Sequence, residues 1–202
     1  MDKDQPLLFT ETTSPIVSNE LSMFEATGGW QFPLFSYFPL WMEFDRARER
    51  SQRLINRQPL SQKFPTQECI KKWIPHAQLD PLELQQHDLE LSIQDVVQGD
   101  GEGDRTYCLT ARIPYLGDER LWHLDPGLEA EAPSGEIFRG DLIIIEVAWS
   151  REEGERQIAE RLKQIDVVLS MQRRLIAEYH EELPGYIAAL LGGTAPDRRM
   201  YH

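Results

Sequence analysis

The sequence predicts an α+β fold, with a mostly antiparallel four-stranded sheet, a long C-terminal helix and an aromatic, helical N-terminal segment. Three observations predict it. Residues 88–149 alternate and turn as strands do, residues 150–183 repeat apolar side chains at helical spacing, and residues 24–44 gather aromatics between prolines and glycines. With 202 residues, 41% apolar and 27% charged, the composition is that of a globular chain of one domain with tails. The expected organisation is a mobile acidic tail over 1–20, a single domain over 21–191 and a C-terminal tail over 192–202. Within the domain, 21–75 form the aromatic and Arg-rich helical part, 88–149 the sheet, and 150–191 the long helix followed by a short one.

In the first twenty residues Asp2, Asp4, Glu11 and Glu20 outweigh Lys3, and only Leu7, Leu8 and Phe9 form a patch able to dock. No secretory leader is read there. Phe24, Trp30, Phe32, Phe35, Tyr37, Phe38, Trp41 and Phe44 follow, each able to bury ~150–250 Å². Gly28-Gly29, Pro33 and Pro39 rule out one continuous helix through them. Pro39 instead suits the start of a helix running to about Asn56 that carries Arg46, Arg48, Arg50 and Arg53, with Arg57 just beyond. From Asp45 to Trp73 there are eight basic residues against three acidic ones, a local excess of +5 on a chain whose net charge is -13. An Arg-rich helix in so acidic a chain is expected to face solvent, or an acidic protein surface, before it faces nucleic acid. Thr66 is the expected N-cap of a short helix to Trp73, which Pro75 ends.

Leu89, Leu91 and Ile93 alternate with Glu90, Ser92 and Gln94, a half-buried strand over 88–97. Residues 99–104 carry turn chemistry, and 106–113 return as its hairpin partner. A second hairpin joins Ile137-Phe138 to Leu142–Trp149 across Arg139-Gly140, where glycine supplies a positive φ. The run Leu142–Trp149 is so apolar that it is expected to be central and covered on both faces. Ser150 and Glu153 form a capping box, and Glu152, Glu153 and Glu155 suit a helix N-terminus. From there Ile158, Leu162, Ile165, Leu169, Ile176, Tyr179 and Leu183 make an apolar seam broken only by Gln172, which Pro184-Gly185 is expected to end.

Catalytic patterns are tested against ordinary structure. Asp100, Glu102 and Asp104 alternate like a calcium loop, but Arg105 stands where glycine belongs and Ala111 where a bidentate glutamate belongs, so a turn is expected. Arg139-Gly140-Asp141 is read as a turn rather than an adhesion tripeptide. Asp141 with Glu146 resembles a pair of nuclease carboxylates, yet Ala148 takes the place of the lysine such sites need. Glu146 is expected to face solvent or to pair with an arginine such as Arg112. Trp122-His123-Leu124-Asp125 alone sets an imidazole beside a carboxylate, with Asp118 upstream; His123 would be the general base and Asp125 or Asp118 its orienting group. No serine or cysteine elbow accompanies them. No metal or cofactor is expected.

A pI near 4.8 disfavours nucleic acid and anionic lipid. The longest nearly apolar stretch, Leu142–Trp149, is far below the ~20 residues that span a bilayer. Two cysteines, Cys69 and Cys108, suit a reducing compartment, hence a cytoplasmic home.

Residues 105–191 resemble a group of uncharacterised bacterial α+β proteins. The resemblance is carried by Ile113-Pro114-Tyr115-Leu116-Gly117-Asp118, Asp125-Pro126, the hairpin Gly135–Trp149, and the ending Tyr179-His180-Glu181-Glu182-Leu183-Pro184. His180 departs from it, because the group shows asparagine after the aromatic. The resemblance implies an accessory or sensing module of bacterial multi-component systems, of the anti-phage defence kind, and brings no catalytic residues.

The expected function is therefore a non-enzymatic interaction module that binds a protein partner or a second copy of itself. Its expected contacts are Ile158, Leu162, Ile165, Leu169, Ile176 and Tyr179 on the helix, with Phe35, Phe38 and Trp41. The alternative is a hydrolase or nuclease using His123, Asp125, Asp118, Asp141 and Glu146.

Overall fold

The computed structural model describes residues 31–59, 65–97, 105–127 and 131–193. The acidic tail over 1–20, the turn over 99–104 and the C-terminal tail beyond Gly193 lie outside them. Strands are β1 (Phe32–Pro33), β2 (Phe38–Pro39), β3 (Glu83–Leu84), β4 (Glu90–Val97), β5 (Arg105–Leu116), β6 (Leu124–Asp125), β7 (Ser134–Phe138) and β8 (Asp141–Ala148). Helices are α1 (Leu40–Asn56), α2 (Gln67–Trp73) and α3 (Arg151–Leu191). The chain forms two compact units. One holds Glu83–Leu116 and Ala132–Val167 with the segment that ends at Leu34; the other holds Phe35–Leu82, Gly117–Glu131 and the segment that begins at Val168.

The first unit is a curled antiparallel sheet in the order β1-β7-β8-β5-β3, with β4 also pairing β5. The four strands expected from the sequence are present, and the two-residue β1 and β3 extend the sheet to six. Their register sets Thr110 of β5 between Ser92 of β4 and Ile145 of β8. Leu109, Ala111, Ile113, Leu142, Ile144 and Ala148 consequently share one face and are buried, as are Ile158, Leu162 and Ile165 of α3. Gly154 marks how near helix and strand come, since a Cβ there would lie 2.3 Å from Leu109 Cδ1. Ser150 Oγ accepts the Glu153 N–H at 3.2 Å, the expected cap, while the Glu153 carboxylate takes Arg156 and Gln157.

β8 corrects the sequence reading. It is central, between β7 and β5, but only one face is fully covered: on the other Ile143 and Ile145 are half-buried and Val147 is 58% exposed, with Trp149 just beyond the strand 70% exposed. An antiparallel sheet packs one face and can leave the other to water, and β-branched residues suit the pleat on either side. The turn before it has the expected form, with Arg139 at φ 51 and Gly140 at φ 87.

The second unit is mainly helical, with β2 and β6 paired in parallel. Pro39 precedes α1 at φ -60, and Thr66 Oγ1 accepts the Cys69 N–H to cap α2. Leu169, Gln172, Ile176, Tyr179, Leu183, Ile187 and Leu191 of α3 are all buried. The polar break in the seam has a structural reason: Gln172 Nε2 donates to the carbonyls of Leu121 and Leu124, each at 2.8 Å. Pro184 corrects a second expectation. The helix passes through it to Leu191, so the separate short helix does not exist. Proline in a helix interior costs about 3 kcal/mol. Leu183, Ile187 and Leu191 keep the i, i+4 rhythm past it, and Ile187 and Leu191 pack with Ile55 and Trp73. Burying those side chains outweighs the lost bond.

Candidate interaction surface

The surface is built where β2 enters α1. Phe35 takes a left-handed backbone (φ 56), costly for a residue with a Cβ, and its N–H donates to the Trp122 carbonyl at 2.6 Å. That reversal buries the Phe35 ring beside Trp122, centroids 5.4 Å apart. Two residues on, the Tyr37 N–H donates to the His123 carbonyl at 3.1 Å, and β2 pairs with β6. Tyr37, Phe38 and Trp41 are left 54%, 50% and 46% exposed. The Arg46 guanidinium stands over the Phe38 ring at 5.8 Å, within cation–π range.

Arg46 also joins a charge cluster. Glu43 is buried on the apolar face of α1, among Leu40, Phe44, Ala47, Ser51 and Ile55. It accepts from Arg50 at 2.9 Å and Arg120 at 3.1 Å, and pairs with Arg46 at 3.5 Å. Arg120 is shared with Asp118, whose oxygens receive its Nε at 2.9 and 3.2 Å. The Arg120 hydrogen bonds hold the Asp118 carboxyl below its ordinary range, against its partial burial, and the pairing raises Arg120 in turn. The Glu43 carboxylate sits inside and that of Asp118 is partly covered, while the side chains of Arg46, Arg50 and Arg120 are 51%, 41% and 56% exposed. Toward solvent the cluster is cationic, on a chain of net charge -13.

The expected catalytic residues are each engaged in structure. Asp118 also caps the 3-10 segment Glu119–His123 by accepting the Arg120 N–H at 3.1 Å. His123 is exposed with its ring edge-on to Tyr37, centroids 5.4 Å apart. Asp125 Oδ1 accepts the Gly127 N–H at 2.8 Å, an Asx turn. In the first unit Asp141 holds Arg112 at 2.6 Å, and Glu146 pairs with Arg161 at 2.7 Å rather than with Arg112. Arg161 also donates to Gln31 Oε1 at 2.5 Å and Ser134 Oγ at 2.6 Å. Burial pushes the Glu146 carboxyl up, with Arg161 pulling it back. Among the described residues no three His, Cys, Asp or Glu side chains are grouped to hold a metal ion, and no helix is long and apolar enough to cross a membrane.

Of the expected contact residues, Phe38 and Trp41 are at the surface. Ile158, Leu162, Ile165, Leu169, Ile176, Tyr179 and Phe35 are buried within the single chain. The residues that complete the surface, Tyr37, Glu43, Arg46 and Arg120, left one trace in the sequence: a glutamate inside the apolar stripe of an arginine-rich helix, which calls for cations around it. Comparison with protein-family models, curated proteins and solved structures finds no match.

Proposed function

We propose that the chain is a non-enzymatic interaction module that holds an acidic protein segment on the surface of Tyr37, Phe38, Trp41, Arg46, Arg50 and Arg120. One observation carries this: half-exposed aromatics share a surface with exposed guanidinium groups that are balanced by the buried Glu43 and the partly covered Asp118. Aromatic and arginine side chains are the types that concentrate binding energy at interfaces, and a cationic patch on an acidic molecule attracts acidic segments. The long seam of α3 lends no support to self-association, because the chain covers it. The resemblance to bacterial accessory proteins agrees with a module that serves a larger assembly, and the free thiols Cys69 and Cys108 agree with the cytoplasm.

The test is fluorescence anisotropy of a fluorescein-labelled dodecapeptide of alternating Glu and Leu added to the full chain. Binding that weakens with salt is expected, and weakens about tenfold or more in Phe38→Ala/Trp41→Ala and in Arg46→Glu. Unchanged affinity in those variants, with wild-type circular dichroism, defeats the reading. A mass of two chains by light scattering, lost in the same variants, would name a second copy as the partner.

A further inference from the structure

We propose that His180 is an acid-released latch on the support beneath this surface. The inference rests on the interaction reading above and assigns it a regulation. The Leu79 N–H donates to His180 Nε2 at 3.2 Å. A nitrogen that accepts carries no proton, so the bond requires the neutral ring; in the imidazolium both nitrogens are donors and Leu79 would face N–H against N–H. Leu79 is 1% exposed, so its amide has no route to water unless the segment opens.

The segment so held is a junction. Ala77 offers its carbonyl to the Tyr179 hydroxyl at 3.0 Å. Asp80 offers its carbonyl to the Asp118 N–H at 2.9 Å. Pro81 lies where a side chain on Gly117 would be, 2.3 Å from its carbonyl oxygen, which fixes Gly117 as a glycine at φ +106. Asp118 then starts the 3-10 segment Glu119–His123 and anchors Arg120 against Glu43. The same segment lends its Trp122 and His123 carbonyls to Phe35 and Tyr37. A continuous chain of bonds thus runs from His180 through Leu79-Asp80 and Asp118 to both halves of the surface, the arginines and the aromatics.

The groups that act on the imidazole oppose each other. Burial disfavours its charged form, Asp80 on the held segment favours it, and the Tyr179 ring lies 5.8 Å away. Burial prevails, so His180 takes its proton below the ordinary histidine range. The sign follows. A base with a lowered folded pKa contributes its full stability above the unfolded value near 6.5, and that contribution is lost as pH falls below it through the folded value. The latch is closed at neutral pH and opens in acid.

The experiment uses the full chain, with Leu79 amide exchange by NMR, corrected for intrinsic rates, and with the Glu-Leu peptide above, at pH 7.5 and 5. Wild type should lose about tenfold or more protection at Leu79 and about threefold or more peptide affinity on acidification. His180→Gln, whose amide oxygen accepts without titrating, should hold Leu79 protection flat and show only the affinity change that the peptide's own glutamates cause. His180→Phe should be unprotected at both pH values. Flat protection in wild type, or the wild-type pH dependence retained in His180→Gln, overturns the latch. Absence of peptide binding at either pH overturns the interaction reading alone, because exchange at Leu79 needs no peptide.

Discussion

Tyr179 lies flat on Phe44, ring centroids 4.4 Å apart and planes within 5°, while its hydroxyl donates to the Ala77 carbonyl at 3.0 Å. One side chain of α3 therefore joins α1 by stacking and the segment after α2 by a hydrogen bond. Arg48 covers the same ring at 5.2 Å and the Tyr186 ring at 5.4 Å, and bonds to Glu182 at 3.0 Å. Burial holds the Tyr179 hydroxyl protonated well above the usual phenol range, so this donor persists at every pH where the neighbouring His180 titrates.

The two contributions of Tyr179 are separable. Tyr179→Phe keeps the stack and strands the carbonyl of Ala77, a residue with no exposure, and should cost about 1–3 kcal/mol. Tyr179→Ala also empties the ring's place and should cost about 3–5 kcal/mol. Urea unfolding followed by far-ultraviolet dichroism measures both. Equal losses in the two variants would mean that the hydroxyl carries the whole effect and the stacked ring adds nothing, and no loss in Tyr179→Phe would mean that only the ring matters.

Glu146 gives a pH test of opposite sign to His180. Burial raises its folded pKa above 4.5, so its stabilising contribution is present below that value and is lost as pH rises through the folded pKa. Glu146→Gln removes this titration and leaves the others in place. The urea midpoint of wild type minus that of Glu146→Gln should therefore fall as pH rises from about 4 to 7. A difference that rises instead would mean that the Arg161 ion pair, at 2.7 Å, outweighs burial.

The fold was largely legible because its signals are local. Period-two alternation marked β4, Arg139-Gly140 the β7–β8 turn, Thr66 the start of α2, and Ser150 the start of α3. The expectations that changed depend on what lies across the fold. β8 reads as doubly covered because Ile143, Ile145 and Val147 are apolar, and no local pattern says which face has a neighbour. Gln172 reads as an interruption until the carbonyls of Leu121 and Leu124 are brought to it. The surface was less legible still. Phe35 and Phe38 are alike in sequence, and the left-handed turn at Phe35 decides that one is core and the other exposed. Arg120 meets Glu43 from 77 residues away, a pairing that spacing cannot announce.

Pro184 is where a strong local rule lost to burial, and it can be measured. Proline has no N–H to offer the His180 carbonyl, four residues back, and its ring crowds that carbonyl. Pro184 is itself exposed, so its side chain adds little to the core. Pro184→Ala restores the bond in a helix already formed on both sides, at Leu183 and Ile187. It should raise stability by about 1–3 kcal/mol with no loss of helical dichroism. Because α3 is continuous through this position, the gain should appear as a higher urea midpoint with an unchanged slope, the signature of greater stability without a change in the surface exposed on unfolding. A variant less stable than wild type would mean that the helix uses the proline, through a bend at His180 that sets the ring against Leu79.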